Sequence, residues 1–283
     1  MKSVLIVGYG KMGRTFSLLE KNSMEIYVND INSERITEAR KDGFKTISQK
    51  ELSFTKFDYV VLALPGPNEQ NIVLETVIQK LNHGIKVLDI TTSEPDTVNY
   101  LSNKLRELSS FYVEIPVLGG PPSIGRWKFL MGGDRELFDE IKEFFSNAGV
   151  VHYIGKIGSA TKFKLLNNMM TAANALITAE VYSMAKKTGI DLNSFYDIIN
   201  SSESAGKNEV FDKRLPKLLN GTLEDTFVIE LMEKDSFLAL SLSRSSHCFT
   251  PISSLCHQLS IKALSSGLGN KDIGYIYKIF RSD

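Results

Sequence analysis

The N-terminal stretch Ser3-Val4-Leu5-Ile6-Val7-Gly8-Tyr9-Gly10-Lys11-Met12-Gly13 decides the fold of this 283-residue chain. Its first five residues have strand length, and the last four of them, Val4 to Val7, are apolar; three glycines follow. Phe16, Leu18 and Leu19 then recur at about helical spacing, and a second strand candidate at 25–28 ends on Asn29-Asp30. The order strand, glycine turn, helix, strand and acid predicts a βαβ unit.

Each glycine has a mechanical purpose in a βαβ unit that binds a dinucleotide. Gly8 turns the chain off the strand, Gly10 lets the backbone approach a pyrophosphate, and Gly13 lets the helix lie close to the sheet. The pyrophosphate would face the helix N-terminus. The predicted cofactor-binding residues of the turn are Gly8, Tyr9, Gly10, Lys11, Met12 and Gly13. Asp30 would accept hydrogen bonds from the adenosine ribose and repel a 2′-phosphate, which favours NAD, with NADP as the alternative.

The composition is that of a soluble globular protein, with 42% hydrophobic and 23% charged residues. Lys plus Arg and Asp plus Glu both number 33, so the net charge is zero and nucleic acid is not expected as a partner. The first apolar run is too short for a signal-peptide core, and no 18-residue apolar span follows. We therefore expect a cytoplasmic protein with no membrane partner.

Cys248 and Cys256 are the only cysteines, and His247 and His257 lie beside them. Their spacing matches no common zinc pattern, so no metal site is predicted. Two reduced thiols are the expected state in a cytoplasmic chain.

Strand and helix patterns alternate as far as residue 153, and their nearly uninterrupted apolar runs suit parallel strands buried on both faces. Strands are predicted at 44–47, 58–64, 86–90, 111–115, 129–131 and 150–153, with helices at 33–41, 72–81 and 96–108. One Rossmann-type, doubly wound parallel sheet accounts for these elements, and we assign it residues 1–157.

Two of the predicted strands end in residues suited to a ligand crevice. The strand at 58–64 runs into Leu64-Pro65, and the strand at 86–90 into Thr91-Thr92. The carboxyl ends of strands line the crevice of an open α/β sheet, so Leu64 and Pro65 are predicted along the nicotinamide ribose and Thr92 beside the same ligand. The same residue types also form ordinary turns and helix caps.

The second half of the chain has helical signals and no alternating strand pattern. Helices are predicted at 164–187, 192–199, 210–219 and 231–242. The fold class is therefore α/β followed by an all-helical C-terminal domain, to which we assign residues 158–283.

An ordered series of motifs runs through nearly the whole chain. They are Gly8/Gly10/Gly13, Ala63-Leu64-Pro65, Asp89 to Pro95, Glu114 to Gly120, Met131 to Asp134, Gly155 to Asn168 and Lys234-Asp235. In this series the chain resembles the β-hydroxyacid dehydrogenase family, which includes 3-hydroxyisobutyrate dehydrogenase. The resemblance implies hydride transfer between a nicotinamide cofactor and a small carboxylic acid or semialdehyde. It also implies a homodimer or homotetramer that associates through the helical domain.

The resemblance implies that Lys164, nine residues after Gly155, is the catalytic lysine and that Asn168 assists it. Positions i and i+4 share one face of a helix. A lysine ammonium can stabilise the alkoxide that reduction produces and donate the proton, and the neutral amine can accept a proton in the reverse direction. Lys162 is a less suitable candidate because it lies about 120° from Asn168 around the helix.

By the same resemblance, Pro116 to Gly120 would form the substrate loop, with Leu118, Gly119 and Gly120 as substrate-binding positions. The family commonly has a serine where this chain has Leu118, and leucine removes that hydroxyl. Arg126 could make a bidentate contact with the substrate carboxylate, or it could be a solvated loop residue. In the family, the lysine at the position of Lys234 reaches the cofactor. Without that resemblance, Lys234 would be interpreted as an ordinary exposed helix residue.

Two alternatives share this architecture. Imine reductases typically replace the lysine, so Lys164 argues against that activity. A non-catalytic NAD(H)-binding redox sensor would not need Lys164 and Asn168, although Leu118 keeps that reading open.

Overall fold

The computed structural model describes residues 1–48, 50–52 and 56–280, and the chain divides into two compact units, Met1–Lys164 and Leu165–Asp283. The strands of the first unit are β1 Lys2–Val7, β2 Met24–Asn29, β3 Lys45–Thr46, β4 Tyr59–Leu62, β5 Lys86–Asp89, β6 Phe111–Glu114, β7 Val117–Leu118, β8 Trp127–Gly132 and β9 Gly149–Gly155. Its helices are α1 Lys11–Glu20, α2 Ser33–Lys41, α3 Pro67–Thr76, α4 Pro95–Glu107 and α5 Phe138–Phe144. Short 3₁₀ segments lie at Ile78–Lys80, Pro121–Ser123 and Arg135–Leu137.

Six parallel strands run in the order β3-β2-β1-β4-β5-β6, which is the Rossmann order. Both faces of β1 are buried: Val4 and Ile6 pack in one hydrophobic core with α1 and α5, and Leu5 and Val7 in the other with α3 and α4. Alternate residues of a strand point to opposite faces, so an unbroken apolar strand requires helices on both sides. The predicted doubly wound sheet is confirmed.

The far edge of the sheet differs from the prediction of parallel strands throughout. β8 is antiparallel to β6, where Glu114 pairs with Gly132, and to β7, but parallel to β9. β7 was not predicted because two residues carry no periodic signal. The helix predicted at 72–81 is also wrong at both ends, since α3 begins at Pro67 directly after Gly66 and ends at Thr76.

The second unit is helical, as predicted. Its elements are the remainder of α6 Ser159–Lys187, then α7 Leu192–Ser201, α8 Glu209–Leu219, α9 Ile229–Ser245, α10 Pro251–Ser265 and the 3₁₀ segment Ile273–Phe280. Ala172, Ala175 and Ala179 of α6 are buried in its core. The buried carboxylate of Asp272 accepts a hydrogen bond from the Arg214 guanidinium, which joins the last segment to α8.

α6 begins at Ser159, five residues before the predicted start at 164, and so runs from the first unit into the second. Among the described residues, no helix is both long and apolar enough to cross a membrane. The same part of the chain holds no group of three His, Cys, Asp or Glu side chains arranged for a metal ion.

Candidate active site

The glycine turn between β1 and α1 cannot hold larger residues. Gly8 has a φ of +96°, and a Cβ there would lie 2.4 Å from the Ala63 carbonyl oxygen of the neighbouring strand end. A Cβ at Gly13 would lie 2.1 Å from the Gly8 carbonyl oxygen. Gly10 precedes the first helical residue, Lys11, and has no side chain to cover the helix N-terminus. The backbone N–H groups of the first turn of α1 can therefore donate to an anion such as a pyrophosphate.

Asp30 lies directly after β2 with only 5% of its side chain exposed, and it is tied to the glycine turn. Its Oδ2 accepts the Tyr9 N–H at 2.7 Å, and its Oδ1 accepts the Asn32 N–H at 2.8 Å. Each carboxylate oxygen has a second lone pair, so ribose hydroxyls can still donate to it.

Arg35 is a neighbour of this turn that the sequence reasoning missed. Its Nη1 lies 3.8 Å from Asp30 Oδ2 and 3.1 Å from the position that a Cβ on Gly10 would take. The side chain is 45% exposed, so it stays available to a charged ligand. A basic residue on the helix after β2, close behind the acid, was the signal that could have identified it.

The ends of β4 and β5 meet through a buried polar network. The Leu64 N–H donates to Thr91 Oγ1 at 3.1 Å, which brings together the two predicted cofactor loops, 64–65 and 91–92. Asp89 supports Thr91 by accepting its N–H at 2.9 Å, and Asp89 Oδ2 also accepts from Gln70 and from the Tyr112 hydroxyl. Burial raises the pKa of the Asp89 carboxyl, and these donors oppose the rise. Asp89 belongs to the motif from Asp89 to Pro95, but the sequence predicts no role for it.

Lys164 contacts the predicted substrate loop directly. Its Nζ donates to the Val117 carbonyl oxygen at 2.7 Å, and Val117 immediately precedes Leu118 in β7. Lys164 is half-buried, whereas Lys162 is exposed. The structure therefore brings the predicted catalytic lysine to the loop and leaves Lys162 away from it.

Ser123 and Trp127 hold the remainder of this loop, and the sequence analysis assigned neither a role. The Trp127 Nε1–H donates to the Gly120 carbonyl at 2.8 Å, and the Gly120 N–H donates to Ser123 Oγ at 3.2 Å. Gly119 has a φ of +124°, and a Cβ there would lie 2.8 Å from Ser123 Oγ. A substrate carboxylate bound at Gly120 would share the Gly120 N–H with Ser123. Arg126 is exposed to solvent.

In the second unit, Asn168 and Lys234 are joined through Asp235. Asn168 is 7% exposed, and its Nδ2 donates to Asp235 Oδ2 at 2.6 Å. The ammonium of Lys234 lies 2.9 Å from Asp235 Oδ1. Asp235 thus orients the Asn168 amide and fixes Lys234, a role that the Lys234-Asp235 motif did not reveal.

The glycine turn and the Rossmann strand order define a dinucleotide-binding protein. Residues 3–155 match the family model described as the NAD binding domain of 6-phosphogluconate dehydrogenase. Residues 158–280 match the model described as NAD-binding of NADP-dependent 3-hydroxyisobutyrate dehydrogenase. The chain belongs to the β-hydroxyacid dehydrogenase family and is an NAD(P)-dependent dehydrogenase that acts on CH–OH groups.

Curated relatives match over almost their full length. An L-threonate dehydrogenase of Haemophilus influenzae is 24% identical over 98% of this chain and 95% of its own. The mitochondrial 3-hydroxyisobutyrate dehydrogenase of Drosophila melanogaster is 26% identical over 100% of this chain and 90% of its own.

Solved structures have the same fold. A Mycobacterium tuberculosis 3-hydroxyisobutyrate dehydrogenase with L-serine superposes with a TM-score of 0.87 at 19% identity, covering 100% of both chains. An imine reductase of Bacillus cereus gives a TM-score of 0.61 at 16% identity, covering 100% of both chains.

Proposed function

We propose that the protein transfers a hydride between NAD, its preferred cofactor, and the carbonyl carbon of a small hydroxy acid or semialdehyde, with Lys164 as general acid/base. The observation that carries this proposal is the 2.7 Å contact between Lys164 Nζ and the Val117 carbonyl oxygen. The contact holds an ammonium at the first residues of the proposed substrate loop. Two oxygens can share one ammonium because it has three donors.

Lys164 has the chemistry that the reaction needs. When the nicotinamide cofactor is bound, it supplies or accepts the hydride. The substrate oxygen becomes an alkoxide during reduction, and an ammonium held beside it stabilises the charge and donates the proton. In the oxidative direction, the neutral amine accepts the hydroxyl proton. The Val117 carbonyl orients the lysine without competing for its proton, because a peptide oxygen does not ionise near neutral pH.

Asn168 is proposed to position the substrate. It follows Lys164 by one helical turn on α6, so both side chains project from the same helix face. Its amide is held by Asp235, and the Asn167 side chain donates to its Oδ1 at 3.1 Å. A restrained amide loses little rotamer freedom when it binds a ligand.

The substrate class follows from the loop and from the names of the relatives. The curated relatives are named for L-threonate, 3-hydroxyisobutyrate and 2-(hydroxymethyl)glutarate, all hydroxy acids. We propose that Gly119 and Gly120 bind the substrate carboxylate and that Leu118 makes this end of the site more apolar than a serine would. A panel of 2- and 3-hydroxy acids and semialdehydes, followed at 340 nm, tests the class. Absence of turnover together with tight NADH binding would instead favour a redox sensor.

The preference for NAD is proposed from Asp30, which keeps a buried negative charge at the end of β2. Arg35 supports some use of NADP, because its half-exposed guanidinium can bind a 2′-phosphate beside that acid. The remaining proposed cofactor contacts are Tyr9, Lys11, Met12, Leu64, Pro65, Thr92 and Lys234. Calorimetric titration with ADP and with 2′,5′-ADP measures the preference without turnover. Tighter binding of 2′,5′-ADP by the parent protein would refute the NAD preference.

Imine reduction is the second candidate, since imine reductases share the fold with TM-scores of 0.61 and 0.65. Lys164 argues against it, because reducing an imine does not leave an alkoxide that needs a lysine. A cyclic imine screen with NADH and NADPH decides between the two activities.

We also propose that two or four copies associate through the helical unit. An apolar stripe follows one side of α6 and remains exposed; its residues are Leu166, Met170, Ile177, Val181 and Met184. A long apolar stripe on a surface helix indicates an interaction surface. Light scattering on the Met170→Lys/Ile177→Lys variant should show smaller particles, and Ile198→Lys, at an exposed apolar position on α7, should not.

A cytoplasmic location is proposed from the cysteines. Cys248 and Cys256 are both free thiols, which suits a reducing compartment. Several curated relatives are mitochondrial by name. Cell fractionation followed by immunoblotting tests this, and enrichment in an organelle fraction would contradict it.

A further inference from the structure

Glu114 is a buried carboxylate outside the residues assigned to the reaction. It ends β6, is 1% exposed, and lies at the N-terminus of α6. Its Oε1 accepts the Ala160 N–H at 3.0 Å, and its Oε2 accepts the Thr161 N–H at 3.1 Å. The Thr161 hydroxyl also donates to Oε2 at 2.5 Å. The carboxylate therefore holds the first turn of the helix that carries Lys164.

The strand opposite Glu114 leaves room for this carboxylate. Glu114 pairs with Gly132 of β8, and a Cβ at Gly132 would lie 2.0 Å from Glu114 Oε1. Any other residue at position 132 would displace the Glu114 side chain from this position. The glycine of the Met131-Gly132 pair is thus required by the position of Glu114.

One short segment holds α6 at two points. Glu114 binds the turn at Ala160 and Thr161, and Val117, three residues later, accepts the Lys164 ammonium at 2.7 Å. Thr161 and Lys164 are separated by three residues, or about 4.5 Å along the helix axis. A shift of the first turn therefore moves Lys164 relative to the loop that begins at Val117.

We propose that Glu114 is a positioning residue for Lys164: by fixing the first turn of α6, it sets where the lysine ammonium meets the substrate loop. This inference rests on the proposed role of Lys164. A carboxylate suits the task because both of its oxygens accept, whereas the carboxamide of glutamine would turn an NH₂ group towards the N–H donors of the helix. The negative charge also suits the positive end of the helix dipole.

The test compares Glu114→Gln with Glu114→Asp, and uses Glu20→Gln as the control. Glu20 is also fully buried, but it lies on α1, where its carboxylate accepts from Ser23 and Asn147. For each protein we would measure the midpoint of thermal unfolding, the Kd for NADH by fluorescence, kcat, KM and the pH profile of kcat. The pH dependence of Lys164 acylation by an amine-reactive reagent, followed by mass spectrometry, reports on the lysine without any substrate.

We expect Glu114→Gln to lower kcat by about tenfold to a hundredfold and to leave the Kd for NADH within about twofold. The acylation profile of Lys164 should shift along the pH axis in the same variant. Glu114→Asp keeps the charge and should recover part of kcat. Glu20→Gln should alter only the unfolding midpoint.

The inference fails if Glu114→Gln lowers the unfolding midpoint while kcat, its pH profile and the acylation profile match those of the parent at a temperature at which both are folded. If Glu114→Gln does not fold, Gly132→Ala provides the second test, because it displaces the carboxylate without removing it. Parental kcat and acylation in that variant would equally overturn the inference. A Lys164→Ala variant with full activity would refute the proposed function itself, which keeps the two failures distinct.

Discussion

Removing the Tyr112 hydroxyl tests the buried network that supports the predicted cofactor loops. Tyr112 is 6% exposed, and its hydroxyl donates to Asp89 Oδ2 at 2.8 Å. A hydrogen bond to a charged group contributes about 1.5–3 kcal/mol to stability, and one to a neutral group about 0.5–1.5 kcal/mol. We therefore expect Tyr112→Phe to lower the free energy of unfolding by about 2 kcal/mol where Asp89 is ionised.

The effect should depend on pH in a defined direction. Burial raises the pKa of the Asp89 carboxyl, and the Tyr112 hydroxyl lowers it, so its removal raises this pKa further. When the pKa of a carboxyl is higher in the folded state than in the unfolded state, its contribution to stability declines as the pH rises. The decline begins at the unfolded-state pKa, about 4, and continues to the folded-state pKa. In Tyr112→Phe that decline extends to higher pH. The loss of stability in the variant should therefore be smaller at low pH, where the Asp89 carboxyl is protonated, and larger at high pH, where it is ionised.

Urea unfolding followed by circular dichroism at pH 4, 6 and 8 measures this difference. Tyr27→Phe is the matched control, since the Tyr27 hydroxyl donates at 3.1 Å to Glu25, whose side chain is 42% exposed. We expect that control to change stability much less than Tyr112→Phe at every pH, because solvent screens the Glu25 carboxylate. A loss for Tyr112→Phe that is the same at pH 4 and pH 8 would refute the reasoning about Asp89.

Three further predictions concern the turn, the loop and an ion pair. Gly8→Ala should weaken NADH binding at least a hundredfold in a fluorescence titration, because its Cβ would lie 2.4 Å from the Ala63 carbonyl oxygen; binding within threefold of the parent would contradict this. Trp127→Phe removes the donor to the Gly120 carbonyl and should raise the substrate KM about fivefold with an unchanged Kd for NADH. An unchanged KM would show that Trp127 does not support the substrate loop. Asp42→Asn should cost about 1 kcal/mol at pH 7 and less at pH 2. The half-exposed Arg14 holds the pKa of Asp42 below its usual range, and this stabilisation declines as pH falls through the lowered pKa. An equal loss at both pH values in urea unfolding would show that the charge is not involved.

The parts of the fold that the sequence predicted well are those with a local physical signal. The apolar run of β1, its glycine turn and the acid after β2 obey rules that operate within about 30 residues, and the structure places β1, α1 and β2 accordingly. The helical second unit was predictable for the same reason, since its apolar spacing is helical and it lacks alternation.

Features that depend on distant pairings were not predictable. β7 has two residues and exists because it pairs with β8, and no window of the sequence carries that information. Glu114 accepts from residues 46 and 47 positions later, and Trp127 binds a carbonyl in a turn. The role of Lys164 was predicted from the family motif alone. Its contact with Val117 spans 47 positions and could only be found in the structure.

The most direct test of the central claim is the activity of Lys164→Ala measured beside Lys162→Ala. Both lysines lie in the first two turns of α6, but only Lys164 donates to the Val117 carbonyl, and Lys162 is exposed. We expect Lys164→Ala to bind NADH with the parental Kd while kcat on the best panel substrate falls at least a hundredfold, in line with the loss of a general acid/base. Lys162→Ala should keep parental values of both. A Lys164→Ala variant with parental kcat would contradict the account.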